Sequence, residues 1–149
     1  MKYILFAAGG VVVVAGLWLW AKNEPQEPLE ERQIIAITGQ ELEVEVARTP
    51  QEQSRGLSGK ESLADNAGML FVYGQPTTPA FWMPDMNFAL DIIWIDESGV
   101  IIGIAEKVAP ESYPELFSPP APVQYVLEVN AGWSAAHGVT AGDDVFLDF

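Results

Sequence analysis

The stretch Gly68-Met69-Leu70-Phe71-Val72-Tyr73, continued after a turn by Phe81-Trp82-Met83-Pro84-Asp85-Met86-Asn87-Phe88 and then Leu90-Asp91-Ile92-Ile93-Trp94-Ile95-Asp96, decides the fold. It carries the densest run of large apolar side chains outside the N-terminal segment, interrupted by three carboxylates, Asp85, Asp91 and Asp96. From Leu90 onward, strand alternation sets Leu90, Ile92 and Trp94 on one face and Asp91, Ile93 and Ile95 on the other. Both faces are mostly apolar, as expected of a strand buried on both sides within a barrel or sandwich. Asp91 is the exception in that strand, because a buried carboxylate requires hydrogen-bond or charge partners.

Working outward, the rest of residues 34–149 also reads as β. Ile34, Ile35 and Ile37 lead through Thr38-Gly39-Gln40 to Leu42, Val44 and Val46, which alternate with Glu41, Glu43 and Glu45. Those three glutamates read as the solvated outer face of a half-exposed strand. Thr49-Pro50-Gln51-Glu52 predicts a short helix with Thr49 as cap, Pro50 in the first position and Glu52 completing a capping box, stopped by Gly56. The prolines of Gln75-Pro76-Thr77-Thr78-Pro79 predict a loop. Asp96-Glu97-Ser98-Gly99 predicts the turn of a hairpin joining residues 90–95 and 100–105, placed at the centre of the sheet. Residues 109–122 hold five of the eleven prolines with Tyr113 and Phe117, an irregular loop expected to lie across the barrel with Tyr113 or Phe117 tucked in, walling a cleft. A strand over residues 123–129, a short helix over 130–137 and a last strand over 145–149 complete a mainly β, β-rich α+β domain. Its expected form is a small barrel-like or sandwich sheet with two short helices, preceded by a transmembrane helix.

The transmembrane helix is read from residues 3–21, 19 consecutive uncharged and largely apolar positions. At helical rise these extend roughly 28 Å, close to a hydrocarbon core of about 30 Å. Lys2 and Lys22 bound the run, Trp18 and Trp20 sit near its outer end, and Leu19-Trp20-Ala21 makes a poor signal-cleavage site. Residues 1–22 are therefore expected to form an uncleaved signal anchor with its N-terminus inside, residues 23–33 an acidic Pro/Glu tether, and residues 34–149 a globular domain outside the cytoplasm.

Composition excludes several function classes. A formal charge of −14 with seven Lys and Arg in total leaves no basic surface for a nucleic-acid backbone. With no cysteine and one histidine, thiol chemistry has no residue and zinc no adequate ligand set, so no metal and no cofactor is expected. Ser134 and His137 share a helix face without an orienting third group, so no catalytic residue is assigned to them. Asp91 and Glu128, each among apolar strand neighbours, are expected to form a buried polar network with Arg55; the other reading of Arg55 is a contact to an anionic ligand. Recognition of a small molecule, a saccharide or a protein partner is assigned to Trp82, Met83, Asp85, Tyr113 and Phe117. The membrane is the partner of the N-terminal helix. The alternative function is an enzyme acting on a saccharide or similar polar substrate through Asp91 and Glu128.

Order and spacing of short signatures also resemble a known family, DUF192. They run from Ala47-Arg48-Thr49-Pro50-Gln51-Glu52 to Arg55-Gly56-Leu57, then Gly68-Met69-Leu70-Phe71, Phe81-Trp82-Met83, Leu90-Asp91-Ile92-Ile93 with Ile95-Asp96, Tyr125-Val126-Leu127-Glu128 with Gly132, and Gly142-Asp143. The resemblance covers nearly all of residues 34–149. It implies a small strand-rich domain, often behind an export signal or membrane anchor, with no established biochemical activity. It also implies a basic residue just before Gly56-Leu57, met by Arg55. Pro84 stands where relatives commonly carry a basic residue, and a cysteine that many carry near the proline loop is missing.

Overall fold

The computed structural model describes residues 31–148. The anchor expected over residues 1–22, nearly all of the tether and Phe149 lie outside the described residues, among which no helix is long and apolar enough to cross a membrane. In chain order the elements are β1 (Arg32–Ile37), β2 (Gln40–Ala47), α1 (Pro50–Arg55), β3 (Ala67–Thr77), β4 (Leu90–Ile95), β5 (Ile101–Val108), β6 (Val123–Asn130), α2 (Trp133–Ala136) and β7 (Val145–Phe146). The strands form one sheet in the order β5-β4-β6-β3-β2-β1-β7. All pairings are antiparallel except β2 with β3. The sheet curls into a half-barrel. At one end β7 meets the β4–β5 turn, where Val145 N–H donates to the Gly99 carbonyl at 2.8 Å and Ile101 N–H to the Asp143 carbonyl at 2.9 Å.

Local chemistry accounts for several boundaries. Thr38 and Gly39 both take positive φ, 49° and 79°, and close the tight turn that pairs Ile37 with Gln40. Thr49 Oγ1 accepts from Glu52 N–H while the Glu52 carboxylate accepts from Thr49 N–H at 2.8 Å, the reciprocal cap expected of α1. These donors, the Thr49 backbone foremost, hold the Glu52 carboxyl below its ordinary pKa. Gly99 takes φ 87° in the β4–β5 turn.

Alternation along β4 follows the sequence pattern. Ile93 and Ile95 enter one apolar cluster with Leu42, Val44, Leu127 and Trp133. Leu90, Ile92 and Trp94 enter another on the opposite face with Phe71, Met83 and Val126. All six β4 residues are buried, so this strand is covered on both sides.

Five expectations are corrected. The hairpin of β4 and β5 is not the centre of the sheet: β5 is at the end of the strand order and β3 in the middle, because β6 inserts between β4 and β3. The proline loop begins later than expected, since β3 runs to Thr77, with Pro76 at a register irregularity between Val72 and Thr77. A missing N–H disrupts no ladder bond there. β1 takes in Arg32 and Gln33 from the expected tether, as Arg32 pairs in register with Glu45 and its guanidinium reaches Glu43 at 2.8 Å. The acidic face of β2 is accordingly not simply solvated; Glu45 also receives Lys60 Nζ at 2.6 Å. Finally, helix α2 is a single turn, Trp133–Ala136, rather than the length of residues 130–137.

Candidate functional site

Asp91 and Glu128 lie on neighbouring strands, yet they face opposite sides of the sheet. The register pairs Asp91 with Val129 and Ile92 with Glu128, and residues directly opposite each other share a face while successive residues alternate. The two carboxyls therefore cannot flank one bond, which removes the pair of working acids on which the saccharide-cleaving alternative depended. They also cannot belong to one network with Arg55. That expectation failed because face assignment depends on register between distant segments, and either strand alone is silent on it.

Asp91 is fully buried and holds a corner of the fold together. Its Oδ1 accepts from the backbone N–H groups of Lys107 and Gly132, both at 2.9 Å, and Oδ2 accepts from Ser134 N–H at 3.0 Å. Lys107 has φ 53° and lies in a bulge of β5, between the pairs Leu90–Val108 and Ile92–Ala105. Gly132 is the N-cap of α2, with no side chain of its own to cap the helix. Asp91 supplies that cap from another strand, satisfying helix N–H groups that would otherwise be buried without acceptors.

Glu128 has the opposite situation. It is 6% exposed, and its Oε2 has no hydrogen-bond partner among the described residues. Met69 on β3 and Ile92 on β4 are its direct cross-strand neighbours, so its environment is apolar. Burial pushes its carboxyl pKa up to about 8, which leaves it largely protonated at neutral pH. The same desolvation, assisted by Glu128, raises the Tyr73 phenol to about 12.

Glu128 lines a cavity of about 290 Å³. Its walls are Phe71 and Tyr73 from β3, the end of α1 with the following turn from Gln53 to Ser58, and the segment Ala80–Pro84 with Met86. Phe81 is fixed behind it by edge-on contacts to Phe71 and Trp94, with ring centroids 4.8 and 5.5 Å apart. Reciprocal backbone hydrogen bonds with Phe117 at 2.8 Å hold Phe81 in place. Trp82 stands at the mouth, 48% exposed.

Of the residues assigned to recognition, Trp82 and Met83 line this cavity. Asp85, Tyr113 and Phe117 do not. Asp85 is exposed, takes φ 53° and receives Gly59 N–H on its carbonyl. Tyr113 is 57% exposed. Phe117 is tucked in as expected of its loop, but it buttresses Phe81 instead of walling the cavity. Arg55 is exposed at the rim and acts electrostatically on Glu52, so it is not part of a buried network. Phe71, Tyr73 and Phe81 were missed as site residues. Alternation puts Phe71 and Tyr73 on one face, but only the pairing of β3 with β6 brings that face to Glu128. Ser134 is fully buried with its Oγ unpartnered among the described residues, while exposed His137 engages the Trp133 carbonyl through Nδ1 at 2.8 Å; the two do not form a dyad.

These features define a small β half-barrel domain with an aromatic-walled, acid-floored cavity. Residues 33–147 match the DUF192 family, described as an uncharacterized ACR, and the chain belongs to that family. Two crystal structures share the fold. One is a "putative transcription regulator" from Sinorhizobium meliloti 1021, 31% identical with a TM-score of 0.75, covering 80% of this chain and 95% of the other. The second is a protein of unknown function from Novosphingobium aromaticivorans DSM 12444, 30% identical with a TM-score of 0.75, covering 81% and 90%. No curated protein matches the chain.

Proposed function

We propose that this protein is a membrane-tethered binding module, held outside the cytoplasm by its N-terminal apolar segment, whose recognition site is the cavity above Glu128. The observation that carries the reading is the Glu128 side chain, nearly fully buried and with its Oε2 unpartnered among the described residues, lining an open cavity walled by aromatic side chains. Buried polar atoms are nearly always hydrogen-bonded, and an exception that faces a cavity is a place for a ligand atom. At about 290 Å³ the space suits a small metabolite rather than a polymer segment, being at the low end of ligand pockets, which run about 300–1,000 Å³. The tether rests on the uncharged run of residues 3–21. Regulation of transcription is a description of the Sinorhizobium relative; a net charge of −14 supports no such role through DNA contact here.

The test is a fluorescence screen of small metabolites against the full chain and Trp82→Ala in one neutral detergent. Hits are expected on the parent and not on the variant, with little change in melting temperature because half-exposed Trp82 contributes few core contacts. A variant that binds as the parent does refutes the site. Alkaline carbonate washing of membranes is expected to leave the full chain in the pellet; its release refutes the anchor.

A further inference from the structure

We infer that the cavity takes a small cationic amine with an apolar body, the ammonium group seated on the Glu128 carboxyl and the body held between Trp82 and the Phe71–Phe81 wall. This rests on the reading of the cavity as the recognition site and assigns the chemistry of what enters it.

The argument is an inventory of polar groups in the wall. Gln53 Nε2 is committed to the carbonyls of Ala47 and Val72, at 3.3 and 3.0 Å. Ser58 Oγ donates to the Pro84 carbonyl at 2.9 Å. Gln53 thereby fastens α1 to the sheet, and Ser58 fastens the turn after α1 to the 80–86 segment. Glu128 lines the cavity, and its Oε2 is buried without a partner among the described residues. Gln53 Nε2 and the Ser58 hydroxyl proton are withdrawn by their bonds from the hydroxyl groups of a saccharide. A carboxylate or phosphate ligand would meet an acid at the floor. A wholly apolar ligand would leave that acid unsatisfied. A group that donates hydrogen bonds and carries positive charge satisfies it, and the cavity is lined by aromatic rings, the side chains over whose faces cations are attracted. The charge of −14 draws cations toward the domain.

Besides Glu128, the titratable or charged groups in the wall are Tyr73 on β3 and exposed Arg55 at the end of α1. Tyr73 remains a neutral phenol up to about pH 12. With the Glu128 pKa at about 8, an ammonium ion arriving at neutral pH meets a protonated acid. Binding converts R–NH₃⁺ and Glu128–COOH into an R–NH₃⁺···⁻OOC–Glu128 pair, and the carboxyl proton leaves to solvent. Affinity is therefore expected to rise about tenfold from roughly pH 7 to roughly pH 9, as the acid ionises in the free protein.

The experiment compares three probes of one shape, phenethylamine, phenylethanol and phenylpropionate, on the full chain in dodecyl maltoside, by tryptophan fluorescence and calorimetry. Trp82→Ala controls for partitioning into micelles. Expected are binding of the amine at least tenfold tighter than either analogue, release of close to one proton per amine at neutral pH, and loss of both features in Glu128→Gln. Equal binding of the three probes, or an amine preference that persists in Glu128→Gln, overturns the assignment while leaving the cavity as a binding site. If none of the probes gives a Trp82-dependent signal, the assignment and the cavity reading fall together. Should Glu128→Gln not fold, selectivity and proton release in the parent decide the matter.

Discussion

Replacing Asp91 by asparagine keeps size and shape and tests whether this carboxylate is a structural clamp. Asparagine Oδ1 can still accept from Lys107 and Gly132, but its amide then points hydrogens at Ser134 N–H, where the carboxylate oxygen stood at 3.0 Å. A charge-assisted bond worth about 1.5 to 3 kcal/mol is lost, and two buried donors left facing each other cost a further ~1 to 3 kcal/mol. The expected destabilisation is about 3 to 5 kcal/mol, against roughly 6 to 18 kcal/mol for a domain of about 118 residues. At about 4 °C per kcal/mol this lowers the melting temperature by roughly 12 to 20 °C. Circular dichroism melts with urea titrations measure it, and hydrogen exchange should show the largest loss of protection at Lys107, Gly132 and Ser134. A variant melting within a few degrees of the parent would refute the clamp.

Glu128→Gln is expected to behave oppositely, and the sign follows from linkage. The folded-state pKa of about 8 is raised from 4.5, so the folded protein holds this proton more tightly than the unfolded chain. The stability it confers is complete below about pH 4.5 and is lost at ~1.4 kcal/mol per pH unit as pH rises to about 8. Glu128→Gln should remove that slope, so the variant gains on the parent across this window by a few kcal/mol; parallel stability profiles from urea melts over pH would contradict the assignment. Gly68→Ala is expected to destabilise by about 1 to 3 kcal/mol, because a Cβ there would approach the Glu128 carbonyl to 2.8 Å and Leu127 Cδ1 to 3.1 Å between packed strands. An unchanged urea midpoint would show that the strands separate freely.

Short-range chemistry was legible in the chain itself. The Thr49–Glu52 cap, the Thr38-Gly39 and Gly99 turns, and the two-faced burial of residues 90–95 each follow from interactions within a few residues, where order along the chain is order in space. The need of Asp91 for partners was legible too, since a carboxylate in an apolar strand demands them wherever the strand lies. What supplies those partners is a bulge 16 residues away and a helix start 41 residues away, and only chain closure brings them together. The same holds for the site. Trp82 and Met83, singled out in the sequence, line the cavity, whereas Phe71, Tyr73 and Phe81 became cavity walls only when β3 paired with β6. Asp91 and Glu128 looked equivalent along the chain, as acids in hydrophobic strands. Register between β4 and β6 put them on opposite faces, one saturated by backbone donors and one left open to a cavity, because a shift of one residue in a β ladder exchanges the side a residue points to and pairing between distant segments is decided by packing of the whole sheet.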